Sequence, residues 1–149
     1  MLQRKQTLWM LLALICAALT FKFSFYSGNV LVGTNGHEFR RLRAIPTFIN
    51  GSSGSILLLI VAIILTGGIL LNIFNYKARK KQFWITIGLV VLSLVNIFLY
   101  WHYSRAPYFV EGTYDLTSIL SLAIPVFLFM SVRGIMRDEK LVKSADRLR

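Results

Sequence analysis

Four apolar stretches, each about as long as a bilayer is thick, constrain this chain more than any motif in it. A helix needs about 20 apolar residues to cross a hydrocarbon core of ~30 Å. Runs of that kind extend from about Thr7 to Tyr26, Ile56 to Tyr76, Phe83 to Tyr103 and Leu116 to Val132. Backbone amides in lipid must be satisfied within their own segment, so each run is expected to be helical. Composition agrees: 56% of residues are hydrophobic and 15% charged, against about 25% charged in a soluble domain. An ordinary water-soluble globule is thereby excluded. The 149 residues allow a single domain. The expected fold class is all-α integral membrane: a four-transmembrane-helix bundle with a short outer hairpin loop and a cytoplasmic amphipathic C-terminal helix over residues 133–149. Trp9, Tyr26, Tyr76, Trp84, Tyr100, Trp101, Tyr103 and Tyr114 cluster at the span ends, where amphipathic rings favour the headgroup level.

The basic residues orient the spans. With the N-terminus inside, the cytoplasmic side collects Arg4, Lys5, Lys77, Arg79, Lys80, Lys81, Arg133, Arg137, Lys140, Lys143, Arg147 and Arg149 out of 17 Lys and Arg. Arg40, Arg41, Arg43 and Arg105 fall outside, and Lys22 lies in the first span. The net charge of +11 is therefore mostly the positive-inside bias, and it implies no nucleic-acid partner. Both termini are expected in the cytoplasm. Arg4 and Lys5 before an apolar run resemble the opening of a signal peptide. However, Ala17–Ala18 is a weak cleavage site, and Ile15 stands before Cys16 where lipoprotein processing prefers a small residue. The first span is therefore read as retained. Cys16 is the single cysteine, so no intrachain disulfide forms.

Between the first two spans, Val30-Leu31-Val32 and His37–Leu42 flank Asn35-Gly36. That dipeptide favours a type I′ hairpin turn, because both central positions need positive φ. The Gly51–Ser55 stretch has flexible-linker composition. The short connection from Lys77 to Gln82 requires spans two and three to form an antiparallel hairpin. The link from Ser104 to Asp115, with Pro107 and Gly112, is expected to be irregular.

No Asp or Glu lies within any span, which removes the usual basis of a proton-coupled carrier. Lys22 is expected to snorkel toward the headgroups. Polar residues instead form stripes. Thr86, Ser93, Asn96, Tyr100 and Tyr103 follow a three-then-four spacing with Leu89 in the gap. Gly68, Asn72 and Asn75 share a face, as do Ser118, Ser121 and Pro125. Asn72, Asn75, Thr86, Ser93 and Asn96 are thus candidates for helix packing or, alternatively, for a polar path. His37 and His102 have no metal-ligand spacing, and no phosphate loop is present. No catalytic residue, cofactor or metal is therefore expected.

In the tail, Leu141, Val142, Ala145 and Leu148 form an apolar face, and Glu139 and Lys143 have i, i+4 spacing. Lys77, Arg79, Lys80, Lys81, Arg137, Lys140, Lys143 and Arg147 make a candidate surface for anionic lipid or a protein partner. The tail Arg-Gly-Ile-Met-Arg-Asp-Glu-Lys-Leu-Val-Lys-Ser-Ala-Asp-Arg-Leu-Arg resembles the closing segment of the domain-of-unknown-function family 4293. The opening Met-Leu-Gln-Arg-Lys-Gln-Thr-Leu-Trp-Met-Leu-Leu-Ala is similar to that family's start, with Lys5 departing where an apolar residue is expected. The resemblance implies a small four-span protein of the bacterial inner membrane and carries no activity. The leading expectation is a non-enzymatic scaffold or accessory subunit of a cytoplasmic-membrane complex. The alternative is a small oligomeric transporter or channel using the polar stripe of the third span. A membrane-protein partner or a homo-oligomer fits either reading.

Overall fold

Thr20 turns the chain out of its first helix. Its hydroxyl donates to the Ala17 carbonyl at 2.7 Å, and its own carbonyl accepts from the Gly51 amide at 2.9 Å. In this computed structural model, which describes residues 5–33, 42–51, 55–75, 78–105 and 109–147, helix α1 is therefore Lys5–Leu19. The apolar run alone predicts a helix to Tyr26. Beyond Leu19, however, the backbone is claimed by distant partners, and the Phe25 amide donates to the Ile49 carbonyl at 2.7 Å. Lys22 consequently sits in an exposed turn after the helix rather than within a span.

The remaining elements are β1 (Tyr26–Gly33), β2 (Leu42–Ile49), α2 (Ile56–Phe74), α3 (Arg79–Ser104), β3 (Phe109–Tyr114) and α4 (Ser118–Arg147). Four helices carry the fold among the described residues. Among the described residues α2, α3 and α4 are each long and apolar enough to cross a membrane, while Gln6–Leu19 is a shorter apolar helix. The contacts run α1 to α2, α2 to α3, α3 to α4 and α4 back to α1. Trp9 stacks on Phe127 with ring centroids 5.9 Å apart, and Asn72 bonds Thr86, so sequence neighbours and the α1–α4 pair run antiparallel. This agrees with the hairpin required by the short α2–α3 link.

The α1–α2 and α3–α4 connections form a sheet of order β2-β1-β3, both pairs antiparallel. The sequence predicts only its first hairpin, and in a different register. Gly33 pairs with Leu42, whereas a two-residue turn at Asn35-Gly36 would pair it with Glu38. The second strand described is Leu42–Ile49 rather than His37–Leu42, and the turn itself lies outside the described residues. Pro46, which has no N–H to donate, is tolerated because β2 is an edge strand. The expected irregular link between α3 and α4 contains β3, paired with β1 from Tyr26↔Tyr114 onward. A Cβ at Gly112 would overlap the Tyr26 phenol, so glycine is what allows β3 to lie there.

Residues 133–147 of the C-terminal tail are helical but do not form a separate helix. α4 continues without interruption to Arg147, 30 residues in all, or ~45 Å at 1.5 Å per residue. Its apolar part ends at Asp138. The core is an apolar layer of Ala13 and Ala17 from α1, Leu65 and Ile69 from α2, Leu89 from α3, and Ile124 and Leu128 from α4. Outward-facing positions are just as apolar: Ile63, Ile64, Val91, Phe98, Val126 and Phe129 are all exposed. Buried amides inside and oil outside suit lipid rather than water.

Candidate functional site: a buried polar cluster beneath a basic end

Gln82, one turn into α3, joins three helices. Its Nε2 lies 3.3 Å from the Asn72 carbonyl on α2 and 3.7 Å from the Met10 sulfur on α1. Asn72 Nδ2 donates to Thr86 Oγ1 at 2.9 Å, and Thr86 Oγ1 donates to the Gln82 carbonyl at 2.7 Å. Helix α4 brings Gly134 under Gln6 of α1, and Ser131, three residues earlier on α4, is fully buried. A Cβ at position 134 would stand 3.0 Å from the Gln6 Cβ and 3.3 Å from its Cα. Gln6, Asn72, Gln82, Thr86 and Ser131 are all buried. Gln6 Oε1, Asn72 Oδ1, Gln82 Oε1 and Ser131 Oγ have no hydrogen-bond partner. Amides and hydroxyls exchange hydrogen bonds without titrating near neutral pH, so this cluster can hold helices together or receive a donor group, but cannot perform acid–base chemistry. Among the described residues no group of three or more His, Cys, Asp or Glu comes together.

The rest of the α3 stripe is buried but separated from this cluster. The Leu89 layer lies between Thr86 and Ser93. Ser93 donates back to the Val90 carbonyl at 2.7 Å, and Asn96 is buried with Oδ1 unpartnered. Tyr100 is buried and stacks on Phe25 with centroids 4.7 Å apart. Tyr103 is half-buried, and Ser104 takes the buried position beside it. Asn75 ends α2 as its C-cap and is half-buried.

At the sheet end, Asp115 clasps the two halves of the chain. It accepts from Ser24 Oγ and, at 2.8 Å, from Ser27 Oγ; its amide donates to the Phe25 carbonyl at 3.2 Å. Thr117 donates to the Ser24 carbonyl. Tyr114 packs edge-on against Phe25 and Tyr26, closing this end with aromatic rings.

Of the basic surface residues, Lys80, Lys81 and Arg137 are exposed around the opposite end of the bundle. Arg79, Lys140, Lys143 and Arg147 lie on the helical backbones of α3 and α4, with side chains outside the described set, as is Lys77 altogether. Sequence reading missed Gln6 and Gln82. Gln82 precedes Thr86 by four residues and so belongs to the stripe by the same spacing; Gln6 stands out only as an amide at the start of an apolar run. Nothing local marks Asp115 as the partner of Ser24.

An apolar-surfaced helical assembly with neutral amides inside and charge at one end defines a membrane protein, three of whose helices are long and apolar enough to span. The chain belongs to the family described as Domain of unknown function (DUF4293), whose model matches residues 2–148. No curated protein and no solved structure matches it.

Proposed function

We propose that this protein is a non-enzymatic accessory or scaffold subunit of the bacterial cytoplasmic membrane. In this reading α1 crosses the bilayer alongside α2, α3 and α4, both chain ends are cytoplasmic, and the sheet lies outside. The observation that carries it is the length of α4. Ser118–Asp138 accounts for a hydrocarbon crossing, and the helix then continues for nine residues to Arg147, ~13 Å further. This arm bears Lys140, Lys143 and Arg147 and emerges at the same end as Lys80, Lys81 and Arg137. Positive-inside bias supports the cytoplasmic assignment. The Leu89 layer, which interrupts the polar stripe, weighs against a solute path through a single bundle.

The test is affinity capture of the tagged protein in mild detergent, comparing the full chain with a form ending at Asp138. A stoichiometric companion held by the full chain and lost from the shortened form is expected. Purification of the full chain alone, repeatedly and without a companion, overturns the accessory role.

A further inference from the structure

Between α2 and α3, at the basic end, lies an open groove of about 450 Å³ lined by Gly68, Leu71, Asn72, Phe74, Asn75 and Ile85. Its walls are oily: Leu71 is 72% exposed and Phe74 70%. Its polar end is set by Asn75 at the α2 C-cap and Asn72 one turn deeper. Asn72 is 2% exposed, and its Oδ1 has no hydrogen-bond partner because its amide group is turned to Thr86. Asn75, half-buried, carries the accessible amide at this end. Lys81 lies four residues before Ile85, hence on the same face of α3 above the groove, and Lys80 and Lys81 are both exposed. The N-cap of α3 is Ala78, which offers the first turn no side-chain acceptor, leaving the helix's positive end to attract an anion.

We propose that this groove binds an anionic glycerophospholipid with a hydroxyl-bearing headgroup, of the phosphatidylglycerol class. The phosphate accepts from Lys81, with Lys80 and the α3 N-terminus adding positive potential. A headgroup hydroxyl donates to the side-chain oxygen of half-buried Asn75 at the mouth of the groove, and one acyl chain lies along Leu71, Phe74 and Ile85. The inference rests on the membrane-spanning part of the proposed function and not on the accessory role.

Native mass spectrometry of the detergent-purified protein, supplied with equal phosphatidylglycerol and phosphatidylcholine, tests it. The wild type is expected to retain phosphatidylglycerol with about tenfold preference, since each basic residue near an anionic surface contributes to the attraction. Lys80→Gln/Lys81→Gln should lose that preference. Leu71→Trp, which fills the groove from its exposed wall, should lose retention altogether. Phe129→Trp, on the lipid-facing side of α4, should behave as wild type, and matched melting curves for all variants confirm folding. Equal retention of both lipids by the wild type overturns the proposal, as does an unchanged preference in the double variant or undiminished retention in Leu71→Trp. A chain that purifies in water without detergent would sink the membrane reading as well; one that needs detergent yet shows no lipid preference sinks only this site.

Discussion

Asn72 and Thr86 meet across the α2–α3 interface through a 2.9 Å hydrogen bond, both side chains fully inside the bundle. In a bilayer such bonds contribute roughly 0.6–2 kcal/mol, and a buried donor stripped of its partner costs about 1–3 kcal/mol. Thr86→Val is therefore expected to destabilise the protein by about 1–3 kcal/mol. Asn72→Leu/Thr86→Val should recover part of that loss. A double-mutant cycle from unfolding in detergent checks it; additive losses would show that the bond contributes nothing.

Gly134 and Gly88 make a contrasting pair. A side chain at position 134 runs into the Gln6 backbone, so Gly134→Val should separate α1 from α4 and destabilise by about 1–3 kcal/mol. Gly88 has open space around its missing Cβ. Gly88→Ala should leave the protein unchanged or stabilise it by up to about 1 kcal/mol through helix propensity. Melting temperatures of the two variants measured side by side decide the matter.

Removing the Asp115 carboxylate releases Ser24 and Ser27 together. Hydrogen bonds to a charged acceptor contribute about 1.5–3 kcal/mol when buried; Asp115 is only half-buried, which lowers the expectation to about 1 kcal/mol. Asp115→Ala should raise amide hydrogen exchange in β1 and β3 and leave the α2 and α3 amides protected. Uniform loss of protection across the helices would contradict a clasp confined to the sheet end.

Topology is open to single-cysteine labelling in a Cys16→Ala background. Lys80→Cys and Arg137→Cys should react with an impermeant maleimide only after the cytoplasmic side is opened. Thr113→Cys, exposed on β3, should react in intact spheroplasts. Labelling of all three from one side would refute the proposed crossing pattern.

The apolar runs marked α2, α3 and the first half of α4, and of the residues on the three-and-four spacing of α3, Thr86, Ser93, Asn96 and Tyr100 are buried while Tyr103 is half-buried. That same spacing extends to Gln82. Periodicity misjudged the end of α1, because Phe21, Phe23, Phe25 and Tyr26 prolong the apolar run past Lys22 and Ser24. What stops the helix is a carbonyl at Thr20 taken by Gly51 and an amide at Phe25 taken by Ile49. The register of β1 with β2 and the existence of β3 were equally hidden, since each depends on a strand partner elsewhere in the chain.

Transfer into oil is a nearly additive property of successive residues. The number of apolar segments and the clustering of positive charge could therefore be read directly along the chain. Hydrogen bonds and close contacts have no such additivity: Ser24 finds Asp115 from 91 residues away, and Gln6 finds Gly134 only once α1 and α4 lie antiparallel. Where α1 ends, which strands pair, and which amide oxygens are left without donors follow from that packing, because each is a relation between segments that no single segment encodes.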